Sequence, residues 1–209
     1  MHPDFTAIDP CPLLAPVPVV LVSSQGTEGN PNLITLAWAG TVNSDPPMVS
    51  ISVRKSRHSH GLIEATGEFV VNLVDTNLLR AADYCGVKSG RDMNKFEACG
   101  LTPIPAPPLD HAPALKEAPA YLCCRVEQVI SLGSHDMFLG RIVGVAAKTS
   151  LIDEKGSLRL DLAGLAAYNH GVYQALGDVL GFFGYSVAGD KVLKSRMAAY
   201  KKKSAPKKK

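Results

Sequence analysis

The stretch Arg54-Lys55-Ser56-Arg57-His58-Ser59-His60-Gly61-Leu62-Ile63 gathers three permanent cations, two imidazoles and two hydroxyls within ten positions. It follows an alternating apolar run over residues 48–53 and precedes a short amphipathic segment, so it falls where a strand ends and a helix begins. The first turn of a helix leaves backbone N–H groups unpaired and carries partial positive charge. With guanidinium and hydroxyl donors added, the place suits a phosphate group. The competing reading is a solvated turn in which Ser59 caps the helix.

Four further groups of residues could do chemistry. Asn32, Thr35, Ala37 and Trp38 lie on the strand read over residues 32–42, with Asn32, Ile34, Leu36 and Trp38 on one face and Thr35 on the other. Trp38 is the only tryptophan, and the small residues Ala37, Ala39 and Gly40 around it leave room for a planar ring. Trp38 could equally be a core aromatic. Gly133-Ser134-His135 places a histidine at a strand junction, where it can titrate or touch a ligand, or simply be exposed. Lys95 in Asp92-Met93-Asn94-Lys95-Phe96 can reach an anion or belong to a charged helix surface. Tyr168-Asn169-His170-Gly171-Val172-Tyr173 can line a site or pack. The chain has no G-x-S-x-G, no H-E-x-x-H and no P-loop, and the spacing of His58 and His60 is a poor metal signature, so no metal is expected.

These residues must be held by a β-rich frame. Residues 17–23 read as a buried strand, and turn chemistry over residues 25–31 makes a hairpin with the strand over 32–42. Strands follow at 47–53 and 68–74, with a short helix at 59–65 between them. Helices are predicted at 77–87 and 93–98. The proline-rich segment 102–119 excludes a long helix or a central strand. A second hairpin joins 120–131 to 136–147. Residues 161–176 are mixed, and 179–186 read as a last strand or an irregular tail on the core. Many strands in hairpins with few short helices point to a closed or half-closed antiparallel barrel. No strand–helix alternation and no G-x-G-x-x-G supports a doubly wound sheet.

With 209 residues, 46% hydrophobic and 20% charged, the chain has the composition of one well-buried soluble domain. The net charge of +3 comes from the lysine-rich end: without the six lysines of residues 201–209, 16 Lys and Arg face 19 Asp and Glu. A body near −3 is not a surface built for nucleic acid. The predicted organisation is a domain over residues 1–190 and a basic, disordered tail over 191–209. Five cysteines without C-x-x-C spacing argue for a reducing, cytoplasmic setting, and adjacent Cys123 and Cys124 should face opposite sides of a strand. No apolar run is long enough to span a membrane, and no signal peptide is read.

Taken in order, several fragments resemble the flavin reductase-like family with the FMN-binding split barrel, in its flavoredoxin-like branch. They are Pro16-Val17-Pro18-Val19-Val20-Leu21-Val22-Ser23, Asn32-Leu33-Ile34-Thr35-Leu36-Ala37-Trp38, Asp45-Pro46-Pro47-Met48-Val49, Arg57-His58-Ser59-His60-Gly61-Leu62-Ile63 and Gly67-Glu68-Phe69-Val70-Val71-Asn72. Asn94-Lys95-Phe96 resembles the family's Asp-Lys-Phe, and Ser134-His135 with Gly140-Arg141-Ile142-Val143 resembles its Gly-Asp-His hairpin; Asn94 and Ser134 stand where the family has Asp. The resemblance implies a Greek-key-like split β-barrel and a homodimer with FMN at the subunit interface. It implies that Asn32, Thr35, Ala37 and Trp38 line the ring and ribityl chain, and that Ser52, Arg54, Arg57, Ser59 and His60 surround the ribityl side and phosphate. Lys95 and Phe96 would approach the flavin, and His135 would sit at its reactive edge or the nicotinamide site as the catalytic residue. The implied activity is NAD(P)H-dependent flavin reduction. The alternative is an FMN electron carrier working with a redox partner protein and no pyridine-nucleotide turnover of its own, and a flavin-free scaffold is a third reading.

Overall fold

The computed structural model describes His2 and residues 4–203, the side chains of residues 201–203 excepted. In chain order its strands are β1 Val17–Pro18, β2 Val20–Gln25, β3 Pro31–Leu36, β4 Ala39–Ser44, β5 Pro47–Arg54, β6 Glu68–Leu73, β7 Pro103–Ile104, β8 Ala114–Leu115, β9 Ala120–Ser131, β10 His135–Ala147, β11 Ala166–Asn169 and β12 Val172–Ala175. The helices are α1 His58–Thr66, α2 Leu79–Val87, α3 Lys95–Cys99 and α4 Asp190–Lys203. No helix among the described residues is long and apolar enough to cross a membrane.

Seven strands form one antiparallel sheet in the order β3-β2-β6-β9-β10-β5-β4. Its outer strands β3 and β4 are consecutive in sequence, so the chain itself crosses the gap between the two sheet edges. The barrel is therefore the open form: hydrogen bonds do not join β3 to β4. A small sheet of β1, β11 and β12 flanks it. The single strand expected over residues 32–42 is two strands, because the chain bends at Ala37-Trp38, where the Trp38 carbonyl accepts a 3.0 Å bond from the Ser52 amide. The bend takes Trp38 out of the alternation that puts Asn32, Ile34 and Leu36 inside.

Side-chain alternation explains the core. Val20 and Val22 of β2 enter the barrel interior with Ile51, Val53, Ile63, Phe69, Cys124 and Phe138, while Leu21 and, just before the strand, Val19 pack outward against Leu78, Ala82, Cys85 and Phe96 of the α2–α3 layer. A strand buried on both faces reads as a continuous apolar run, as residues 19–22 do; the single strand expected over residues 17–23 is split, Val17–Pro18 pairing instead with β11. Cys124 and Cys123 fall in different clusters, on opposite faces of β9. Gly140 on β10 is required by packing, since a Cβ there would lie 2.5 Å from the Phe69 ring.

Of the two readings of residues 179–186 the irregular one holds: a short 3₁₀ turn, Tyr185–Val187, interrupts an otherwise irregular path, although Leu180 and Phe183 are exposed and not packed on the core. The tail beyond needs correction. Where a disordered tail is predicted, Asp190–Lys203 is helical. Leu193, Met197 and Tyr200, spaced four and three apart, share its half-buried face, and the Arg159 guanidinium lies 5.2 Å from the Tyr200 ring centroid. Residues 204–209, the rest of that predicted tail, lie outside the described residues.

Candidate functional site

The basic stretch folds as its residue types predict, with one change at the cap. β5 ends at Arg54, a turn follows, and α1 starts at His58 with Arg57 in extended backbone at the N-cap and no side-chain cap. Ser59 does not cap the helix. Its hydroxyl is buried, 1% of the residue being exposed, and accepts a 2.7 Å bond from the Asn32 side-chain amide of β3. The pair ties the first turn of α1 to the sheet; the His60 amide donates to the Arg57 carbonyl at 3.1 Å, and no side-chain cap competes with a ligand for the amides before it.

A cavity of about 430 Å³ opens above this turn, lined by Asn32, Arg54, Arg57, His58, Ser59 and Lys95 and closed by Lys88, Ser89 and Gly90 after α2. Lys95 is not on a charged surface: 3% exposed, it donates 2.8 Å bonds to the carbonyls of Leu33 and Cys85. Two of its three ammonium protons are thus used and one remains for the cavity. Burial lowers the Lys95 pKa. Burial, with Arg91 and Lys95 nearby, also lowers that of His58, which favours its neutral imidazole. Gly90 is fixed by contact, since a Cβ would sit 2.1 Å from Asn32 Oδ1.

A second cavity, about 470 Å³, shares Ile34, Arg54 and Arg57 with the first. Thr35, Ala37, Trp38, Ser52 and His135 line one part of it. The Trp38 and His135 rings meet at 4.7 Å between centroids, and Trp38 is 46% exposed. Thr35 donates its hydroxyl to the Ala82 carbonyl of α2. His135 opens β10 opposite Arg54 of β5, with Ser134 Oγ 2.9 Å from its Nδ1. Burial and then the Arg54 charge lower the His135 pKa, keeping the ring neutral.

The far wall holds Tyr168, His170 and Tyr173 of the β11–β12 hairpin, with Asp83, Gly86 and Val87 of α2; Leu14 stands at the mouth. Tyr168 is placed by its register with Val17, and Tyr173 by a 3.3 Å bond to Asp83.

Ten of the twelve residues singled out by sequence therefore line these two adjoining cavities, and two do not. His60 is two positions past His58, about 200° around the helix, and turns into the barrel. There its Nε2 lies 2.8 Å from Asp136 Oδ2 and its ring meets Phe138 edge-on at 5.2 Å. Phe96 is core, packed beneath α2 and α3. Asn94, standing where an Asp is usual, caps α3 by accepting bonds from the amides of Phe96 and Glu97. Sequence reasoning missed Lys88, Ser89, Asp83 and Gly86, whose only advance signal was their place at the end of a predicted helix.

Two adjoining cavities, one cationic and the other aromatic, suit a ligand with an anionic group and a flat ring. The comparisons with known proteins agree. The flavin reductase like domain matches residues 14–177. An uncharacterised protein of Archaeoglobus fulgidus is 33% identical over 142 residues, covering 68% of this chain and 78% of that protein. The flavoredoxin of Desulfovibrio vulgaris (Miyazaki F) superposes with a TM-score of 0.82 at 27% identity, covering 88% of this chain and all of that one. An FMN-binding protein from Thermus thermophilus, solved with bound 1-cyclohex-2-enone, gives a TM-score of 0.69 at 26% identity, covering 82% and 94%. The chain is a member of the flavin reductase-like family.

Proposed function

We propose that the joined cavities bind FMN and that the protein is an NAD(P)H-dependent flavin oxidoreductase acting as a homodimer. The observation that carries this reading is that Arg54 and Arg57 line both cavities, so that the cationic one adjoins the aromatic one. The residues fit the group: two guanidiniums, the Lys95 ammonium, the Ser59 and Ser89 hydroxyls and the uncapped start of α1 complement a phosphate dianion, while Gly90 keeps the cradle open. Thr35, Ala37, Trp38 and Ser52 supply a polar and aromatic wall for a flat ring. When bound, the isoalloxazine supplies the redox chemistry, and the protein's part is to bind, orient and tune it. Neutral His135 is proposed to offer a hydrogen bond at the ring edge or to a nicotinamide. Trp38, half-exposed at the cavity, is covered once a ring or a partner subunit lies against it. The five free cysteines support a reducing, cytoplasmic setting.

Anaerobic mixing tests this reading. FMN-loaded protein should bleach at catalytic rates with NADH or NADPH, and no bleaching with either rejects the reductase. The likeness to a flavoredoxin favours a second reading, an electron carrier serving a redox partner protein. Reduction by a ferredoxin-type donor, and by neither nucleotide, selects it.

A further inference from the structure

The match to the family ends at residue 177, and the described chain runs on to 203. That extension differs from the body in two respects. First, Leu180, Phe183 and Val187 are 88%, 105% and 89% exposed, three large apolar side chains within eight residues. Isolated surface apolar residues are ordinary, but a run of nearly naked ones in a single segment marks a contact surface. Second, the charge is divided. After residue 177 the sequence carries nine Lys and Arg against two Asp, whereas residues 1–177 carry thirteen Lys and Arg against seventeen Asp and Glu.

The protein's own body does not cover the apolar segment. Helix α4 folds back through its half-buried Leu193, Met197 and Tyr200, with Tyr200 against Arg159 and Arg196 over the Phe182 ring at 4.8 Å. The arm is thereby held in place while Phe183 points away. The helix is about 21 Å long at 1.5 Å per residue, enough to reach across a neighbouring surface.

We infer that residues 178–203 form an arm that docks on the body of a second copy of this chain, the apolar segment being covered there and the basic helix meeting the partner's net negative charge. A second copy is the occupant the charges favour, because the chain itself supplies the complementary sign. Two-fold symmetry would let each arm make the same contact reciprocally. The arm leaves from β12, whose Tyr173 lines the aromatic cavity, so docking would anchor one wall of that cavity. The inference rests on the homodimer reading above, and the following experiment separates the two.

Sedimentation equilibrium is measured on the full chain, on Leu180→Asp/Phe183→Asp and on Lys191→Glu/Lys194→Glu/Arg196→Glu, with circular dichroism confirming that each variant is folded. The wild type should be a dimer at micromolar concentration, and each variant should weaken it about tenfold or more. Raising salt from about 0.05 to 0.5 M should weaken the wild type and not the charge-reversed variant. Wild-type dimer constants in both variants would overturn the arm and leave the homodimer intact. A monomeric wild type would overturn both, and its co-sedimentation with phosphatidylserine vesicles would assign the arm to an anionic membrane instead.

Discussion

His60 and Asp136 join Nε2 to Oδ2 across 2.8 Å in the barrel interior, both side chains being buried. The contact links the first turn of α1, which presents His58 and Ser59 to the basic cavity, to the β10 residue beside His135. Adjacent strand residues face opposite ways, so β10 turns Asp136 inward and His135 toward the aromatic cavity. Lys55 Nζ, 3.4 Å from Oδ1, adds a weaker tie. The two ends of the site are therefore braced through the core.

This brace has a pH signature. The His60 hydrogen bond, chiefly, holds the Asp136 carboxyl below its ordinary value of 3.8. A depressed carboxylate pKa stabilises the fold above the unfolded-state value, and the contribution is lost as pH falls through the folded-state value. Asp136→Asn should therefore be less stable than wild type at neutral pH, and the difference should shrink below about pH 3.8. Urea denaturation of both proteins across that range checks it; a constant difference would reject the ion-pair account.

Arg57→Ala should weaken FMN binding by about 1.5–3 kcal/mol, the worth of a charge-assisted hydrogen bond. Riboflavin has no phosphate, so its affinity should change little. Fluorescence titration of both flavins is the measurement, and equal losses for the two would displace Arg57 from the phosphate end.

Binding of a phosphate group should take up a proton at His58. Its pKa is lowered in the ligand-free site by burial and by the neighbouring Arg91 and Lys95. A dianion beside it raises that pKa, so the protonated form binds more tightly and affinity rises as pH falls through the value in the complex. FMN titrations from about pH 8 to 6 should show this rise, and His58→Asn should flatten it. A wild-type profile already flat would count against His58 facing the anion.

Gly90→Ala should cost about 1–3 kcal/mol of stability, as overpacked sites do. Its Cβ would fall 2.1 Å from Asn32 Oδ1, and displacing Asn32 breaks the bond to Ser59 that seats α1. FMN affinity should fall with stability. Unchanged denaturation and unchanged binding together would show that the Lys88–Gly90 turn gives way without consequence.

Much of this was legible in local patterns. The apolar run of residues 17–22, the two hairpins, and the strand-to-helix junction at Arg54–His58 follow from turn chemistry and side-chain period, which act over a few residues. Residue type alone marked Arg57 and Trp38 as ligand-facing candidates. Period could not place Trp38, because the bend at Ala37 is imposed by the Ser52 amide on β5. Nor could it separate His58 from His60: which side of α1 meets the cavity and which meets Asp136 depends on how the helix docks against β10. Local pattern left Lys95 open between an anion contact and a charged helix surface; it is buried because α3 lays it under two carbonyls from β3 and α2. The sequence by itself determined the elements and the chemistry they carry, since those interactions are local. The tertiary structure decided which residues share the cavity, because sheet pairing joins segments as far apart as Val17 and Tyr168, and local propensity carries no information about that.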